Sequence, residues 1–158
     1  MREILSHPEY FFPVLIGFLI ALFALIARIS GWATLANYYR FAGTFTGPSW
    51  RFQSAQMRWK MGYNNCLTIG ANESGLYLSV FFLFRFGHPD LFIPWGDISV
   101  GGKKGFLHSY MEFRFQQVPA IALLVTERLG RQIGKAAGNA WPGEGRKEEQ
   151  DGYQFSHP

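Results

Sequence analysis

The chain has little charge and almost no cysteine. Asp, Glu, Lys and Arg make up 16% of its 158 residues, below the quarter usual for a soluble domain. The single cysteine, Cys66, excludes an intrachain disulfide. Beside Leu67 in an apolar run, it is expected to be a buried free thiol. No Cys/His spacing fits zinc. No phosphate-binding or dinucleotide fingerprint occurs, since Gly101-Gly102 lacks the glycine spacing that such loops need. There is no internal repeat. No catalytic residue, metal ligand or cofactor site is therefore expected.

What is present is one long apolar run. Phe11 to Ala27 holds seventeen residues without a charge, and twelve of them are Leu, Ile, Phe or Val. As a helix it measures about 25 Å, and its neighbours bring it toward the ~30 Å hydrocarbon thickness. Twelve such side chains contribute roughly −4 to −7 kcal/mol toward insertion. A cleaved signal peptide would have a basic front and a small-residue cleavage site. Here the front is net acidic and Ala27-Arg28-Ile29-Ser30 offers no such site. A retained transmembrane helix over residues 10–29 is expected, after a short N-terminal segment 1–9, with Pro13 in its first turn.

The charge is unevenly spread. Side chains sum to −1 before Arg28, +7 from Arg28 to Lys135 and −2 beyond. A basic excess directly after the span places the C-terminal domain in the cytoplasm, at the inner membrane, by the positive-inside rule. The same excess attracts anionic headgroups. The basic residues Arg51, Arg58, Lys60, Arg85 and Arg114 are scattered singly, which reads as a solvated surface and not as a nucleic-acid interface.

Ser30 is expected to cap a second, short amphipathic helix within residues 30–43. In this reading Trp32, Tyr38 and Tyr39 lie at headgroup level, and Arg28 and Arg40 face phosphate. The same periodicity equally fits aromatics packed under the domain. After a Gly/Thr/Pro linker the pattern turns to period two. Trp50 and Phe52 alternate with polar neighbours, as do Met57, Trp59 and Met61. Cys66–Gly70 is a short strand, and Asn72–Gly75 a turn with Gly75 free to take a positive φ. Leu76, Leu78, Val80, Phe82, Phe84 and Phe86 then share one face of a long run, with Phe81, Leu83 and Arg85 on the other. Leu91–Trp95 contains Pro94, which marks an edge or bulge. Strands are expected near Asp97–Lys103 and Tyr110–Phe115. Ala120–Val125 fits a strand or a helix start. Thr126 caps a helix to Ala137. The rest, 139–158, is polar and expected to be disordered.

Gly75-Leu76-Tyr77-Leu78 and Ile93-Pro94-Trp95-Gly96-Asp97-Ile98 resemble paired strands of the pleckstrin-homology superfold. More narrowly, they resemble the small bacterial PH-like and GRAM-like domains that sit beside a membrane helix. The resemblance covers Trp50 to about Ala137. It implies a mainly β fold with α: a small antiparallel barrel or sandwich of six to seven strands plus a C-terminal helix, over residues 44–138. It also implies a non-enzymatic scaffold that binds lipid headgroups or protein partners. Lys103-Lys104 is the only adjacent basic pair in the matched region, so no basic phosphoinositide loop stands out.

Three functional readings follow. One is a single-pass membrane protein whose domain is a non-catalytic interaction or membrane-surface module. The others are a tethered enzyme using the His88/Asp90 turn and a structural subunit of a membrane complex. His88 and Asp90 are also ordinary turn residues. Cys66 and His108 lack an orienting acid for a nucleophile pair. Asp97 reads as a local hydrogen-bond acceptor at a bend. If the sheet is covered on one side only, Phe81, Leu83 and Arg85 contact lipid, a protein partner or a second copy of the chain. If the chain covers both faces, they do not.

Overall fold

The computed structural model describes residues 8–58 and 61–143. Trp59, Lys60, residues 1–7 and the tail from 144 onward lie outside them, and with them the expected disorder of the tail. Helix α1 runs Pro8–Ser30 and is long and apolar enough to cross a membrane. Pro8, not Pro13, occupies the first turn; the helix starts earlier than expected and Pro13 falls inside it. Most of α1 is exposed: Phe12, Val14, Ile16 and Phe18 show more than half their surface.

Gly31 separates α1 from helix α2 (Trp32–Tyr39). Its φ of 89° is left-handed, and an added Cβ there would lie 2.3 Å from Ile121 Cδ1. Only glycine satisfies both conditions. Seven strands follow: β1 (Ser49–Gln56), β2 (Gly62–Ala71), β3 (Gly75–Val80), β4 (Leu91–Pro94), β5 (Ile98–Lys104), β6 (Ser109–Phe115) and β7 (Val118–Thr126). They form one antiparallel sheet in the order β4-β3-β2-β1-β7-β6-β5. The expected mainly β architecture with a C-terminal helix is what the chain adopts. Pro94 ends the edge strand β4, where its missing N–H costs no ladder bond. Ala120–Val125 is strand. Helix α3 (Glu127–Ala137) begins where Thr126 Oγ1 accepts the Leu129 N–H at 3.4 Å.

One core joins sheet and helices. Leu67, Ile69, Leu76, Leu78, Leu91, Ile93, Phe113, Phe115 and Leu123 supply it from the strands, Trp32 and Leu35 from α2, Leu129 and Ile133 from α3. The described start of the tail belongs to it too. Trp141 packs edge-on against Trp95 and Phe113, with ring centroids 5.7 and 5.9 Å away. Asn72 Oδ1 accepts from the Ser74 and Gly75 N–H groups, making the expected turn. Gly75 takes no positive φ; glycine is needed there because a Cβ would lie 2.4 Å from the Ile93 carbonyl oxygen.

The segment between α2 and β1 is no free linker. Phe45 stacks on Tyr77 at 4.8 Å, and Phe41 meets Tyr77 and Phe92 at 5.9 and 5.5 Å. It thus covers the outer face of β3 and β4. β1 carries a register irregularity between Trp50 and Gln53. Phe52 sits inside it at φ 55° and is turned outward, 62% exposed.

Candidate functional site

The site of interest lies where α1 meets the sheet domain. The expected run from Leu76 to Phe86 does not form. β3 stops at Val80, because the Phe81 N–H still reaches the Cys66 carbonyl but the next bonds close locally. Phe84 donates to the Phe81 carbonyl, Arg85 to Phe82 and His88 to Arg85, so Phe82–Phe84 is a 3-10 turn. The two-faced division of this segment is therefore overturned. Phe82, Phe84 and Phe86, expected inside, are exposed, as are Leu83 and Arg85; Phe81 is half-buried.

Asp90 fixes this turn. Tyr77 Oη donates to Oδ2 at 2.9 Å, Ser79 Oγ to Oδ1 at 2.6 Å, and Arg85 Nη2 to Oδ2 at 2.6 Å. Burial alone would push the Asp90 carboxyl up, but these donors, Arg85 first, hold it below the usual carboxylate range. Arg85 is raised in turn by the same carboxylate.

A second group pins the end of α1. Ser30 Oγ lies 2.6 Å from Tyr63 Oη, which lies 3.0 Å from His88 Nε2. His88 Nδ1 lies 3.2 Å from the Phe86 carbonyl. A carbonyl only accepts, so Nδ1 carries the proton and Nε2 accepts from Tyr63, while Ser30 Oγ also reaches the Ala27 carbonyl at 3.3 Å. Burial lowers the His88 pKa and pushes the Tyr63 hydroxyl up to about 12, so both are neutral near pH 7. His88 and Asp90 thus serve separate hydrogen-bonded groups. Cys66 is half-buried on β2, its thiol raised by burial. It lines a cavity of about 180 Å³ with Phe23, Tyr63, Phe84 and His88, whereas His108 is in the exposed β5–β6 turn.

The expected interfacial set divides. Trp32 is fully buried, its Nε1 donating to the Pro89 carbonyl at 2.8 Å. Tyr39 is 5% exposed; its hydroxyl donates to Asp97 Oδ2 at 3.0 Å and accepts from the Gln117 N–H. Burial raises its pKa. Both are core anchors and not headgroup contacts, because α2 turns its apolar stripe into the sheet. Asp97 is an acceptor, though its partner is distant in sequence. Ser30 lies in the last turn of α1, one residue before the Gly31 cap position of α2; its Oγ bonds Tyr63 and also accepts the Trp32 N–H at 3.5 Å. Tyr38, Arg28 and Arg40 remain exposed.

Sequence reasoning missed a cavity of about 480 Å³ on the outer face of β1–β3. Arg51, Thr68, Tyr77 and Arg85 supply its polar lining, Phe45 and Phe81 its aromatic wall. Arg51 and Thr68 come from strands that the period-two pattern leaves in solvent, so no local signal joins them. Among the described residues, no three His, Cys, Asp or Glu side chains are grouped to hold a metal. Compared with family models, curated proteins and solved structures, the chain matches none.

Proposed function

We propose that the chain is a single-pass membrane protein whose PH-like sheet domain is a non-catalytic module working at the surface of the membrane that α1 crosses. The observation that carries this is the junction. α1 exposes an apolar cylinder along most of its length, yet Ala27 and Ser30 in its last turn are 1% and 0% exposed. Gly31 and α2 then lead directly into the core. The domain is held at one height and tilt, as a surface-reading module requires. The basic excess after the span argues for a cytoplasmic domain at the inner membrane. Arg51, which lines the same cavity as the Thr68 hydroxyl, suits an anionic headgroup.

The test is full-length protein in isolated membranes. It should resist extraction at alkaline pH. In nanodiscs its melting temperature should rise with anionic lipid content, an effect that Arg51→Ala should reduce. Release into the supernatant without detergent overturns the reading.

One observation favours a second reading, a structural subunit of a membrane complex. Phe106 and Leu107 at the β5–β6 tip are 102% and 79% exposed, the kind of apolar tip that another protein covers. Co-purification of a stoichiometric partner in mild detergent distinguishes this from lipid reading. The tethered-enzyme reading draws no comparable support, since His88 and Asp90 do not converge.

A further inference from the structure

The turn after β3 touches α1 well inside the span. Phe84 meets Phe23 edge-on, ring centroids 5.0 Å apart. Gly87, at φ 78°, brings its backbone so close that a Cβ would lie 3.0 Å from Ala24 Cα. Phe23 precedes Arg28 by five positions, which is about 7 Å along a helix axis. If Arg28 marks the phosphate level, the turn cannot stay in water. Its contact on α1 lies more than one helical turn deeper, in the acyl layer.

The composition agrees with that depth. Phe82, Leu83 and Phe86 are 65%, 56% and 51% exposed and point away from the core. Phe52 joins them, its ring 5.9 Å from that of Phe81. It is held in left-handed backbone, which a bulky side chain strains. That strain sets an aromatic ring outward beside the same patch. Arg85, the one charge in the turn, is paired with Asp90 at its domain-side end.

We infer that the Phe81–Gly87 turn is a second membrane contact, buried among the acyl chains of the leaflet next to α1, with Phe82, Leu83, Phe84 and Phe86 as its inserted side chains. This rests on α1 being a span and adds the depth of the domain to it. The continuity of the patch with the lipid-facing surface of α1 selects acyl chains as the occupant. A span with one lateral wedge resists both tilting and rotation, which a single helix does not.

The experiment uses full-length protein in nanodiscs, in a Cys66→Ser background, with nitroxides attached at Leu83→Cys, Ile20→Cys and Ser74→Cys in separate samples. Ser74 lies at the far end of β3 and reports water. The labels at 20 and 83 should both collide more with oxygen than with a water-soluble nickel chelate, and the label at 74 should do the reverse. A label at 20 in lipid with one at 83 in water overturns the inserted turn and leaves the anchor standing. A label at 20 in water overturns both. Spin–spin broadening at 83, absent on dilution with unlabelled protein, assigns the patch to a second copy and overturns the lipid contact. Phe82→Cys serves the same comparison if the label at 83 prevents folding, judged by the melting temperature.

Discussion

Two aromatic segments flank the last turns of α1. α2 carries Trp32, Tyr38 and Tyr39, and the turn after β3 carries Phe81, Phe82, Phe84 and Phe86. Both are short and both touch or continue the apolar helix. Yet α2 is drawn into the core, and the turn is left outside. Hydrogen bonding accounts for much of the difference. Trp32 and Tyr39 each have a polar handle, and each handle finds a fixed partner: the Pro89 carbonyl and the Asp97 carboxylate. Phenylalanine has none, so nothing directs those rings to a particular place once the strand has ended. An amphipathic aromatic is therefore ambiguous between core and interface, whereas a purely apolar one has no polar group to fix it in either place.

The strongest way to break this contrast is Trp32→Ala. Loss of a fully buried indole should cost about 3–5 kcal/mol, read as a large fall in melting temperature in mild detergent. A loss below about 1 kcal/mol would return α2 to the interface. Next comes Asp90→Ala, which removes the acceptor shared by Tyr77, Ser79 and Arg85. A cost of about 2 kcal/mol is expected, with faster proteolysis after Arg85 as the turn loosens. Unchanged cleavage would show that the turn is held by α1 alone.

The His88 group gives a smaller, pH-dependent effect. Its folded pKa lies below its unfolded value near 6.5. Its contribution is complete above that value. As pH falls below it the unfolded chain binds a proton that the folded chain resists, and stability declines. Asp90, depressed below 3.8, loses its contribution only at more acidic pH. Unfolding between pH 7 and 5 should therefore show a fall that His88→Asn removes; a slope that survives the substitution assigns it elsewhere. The smallest expected change is Phe82→Ser. Stability in detergent should move by less than about 0.5 kcal/mol, and a large loss would mean that this ring is core after all.

The elements with regular periodicity were legible in advance. Thr126 with its helix, the Asn72 turn, edge Pro94 and the inward alternation of Phe113 and Phe115 all follow from local chemistry. The reading failed at Phe82–Phe86. Alternation there continued by chance after β3 lost its partner, since β2 ends its pairing with β3 at Leu67↔Val80. Phe52 failed for a related reason: it sits within the register irregularity of β1, where a left-handed backbone turns its ring outward. The cavity at Arg51 was illegible because its lining comes from several elements far apart in sequence.

The amino-acid order alone determined that one helix is apolar on every side and that a β domain with a terminal helix follows. Both are local properties of periodicity, and no distant contact is needed to express them. Only the tertiary structure decided which aromatics the core would take, that Gly31 fuses α1 to that core, and that Gly87 lays a phenylalanine turn along α1. Those outcomes depend on which surfaces compete for the same interior, and that competition exists only once the chain has folded back on itself.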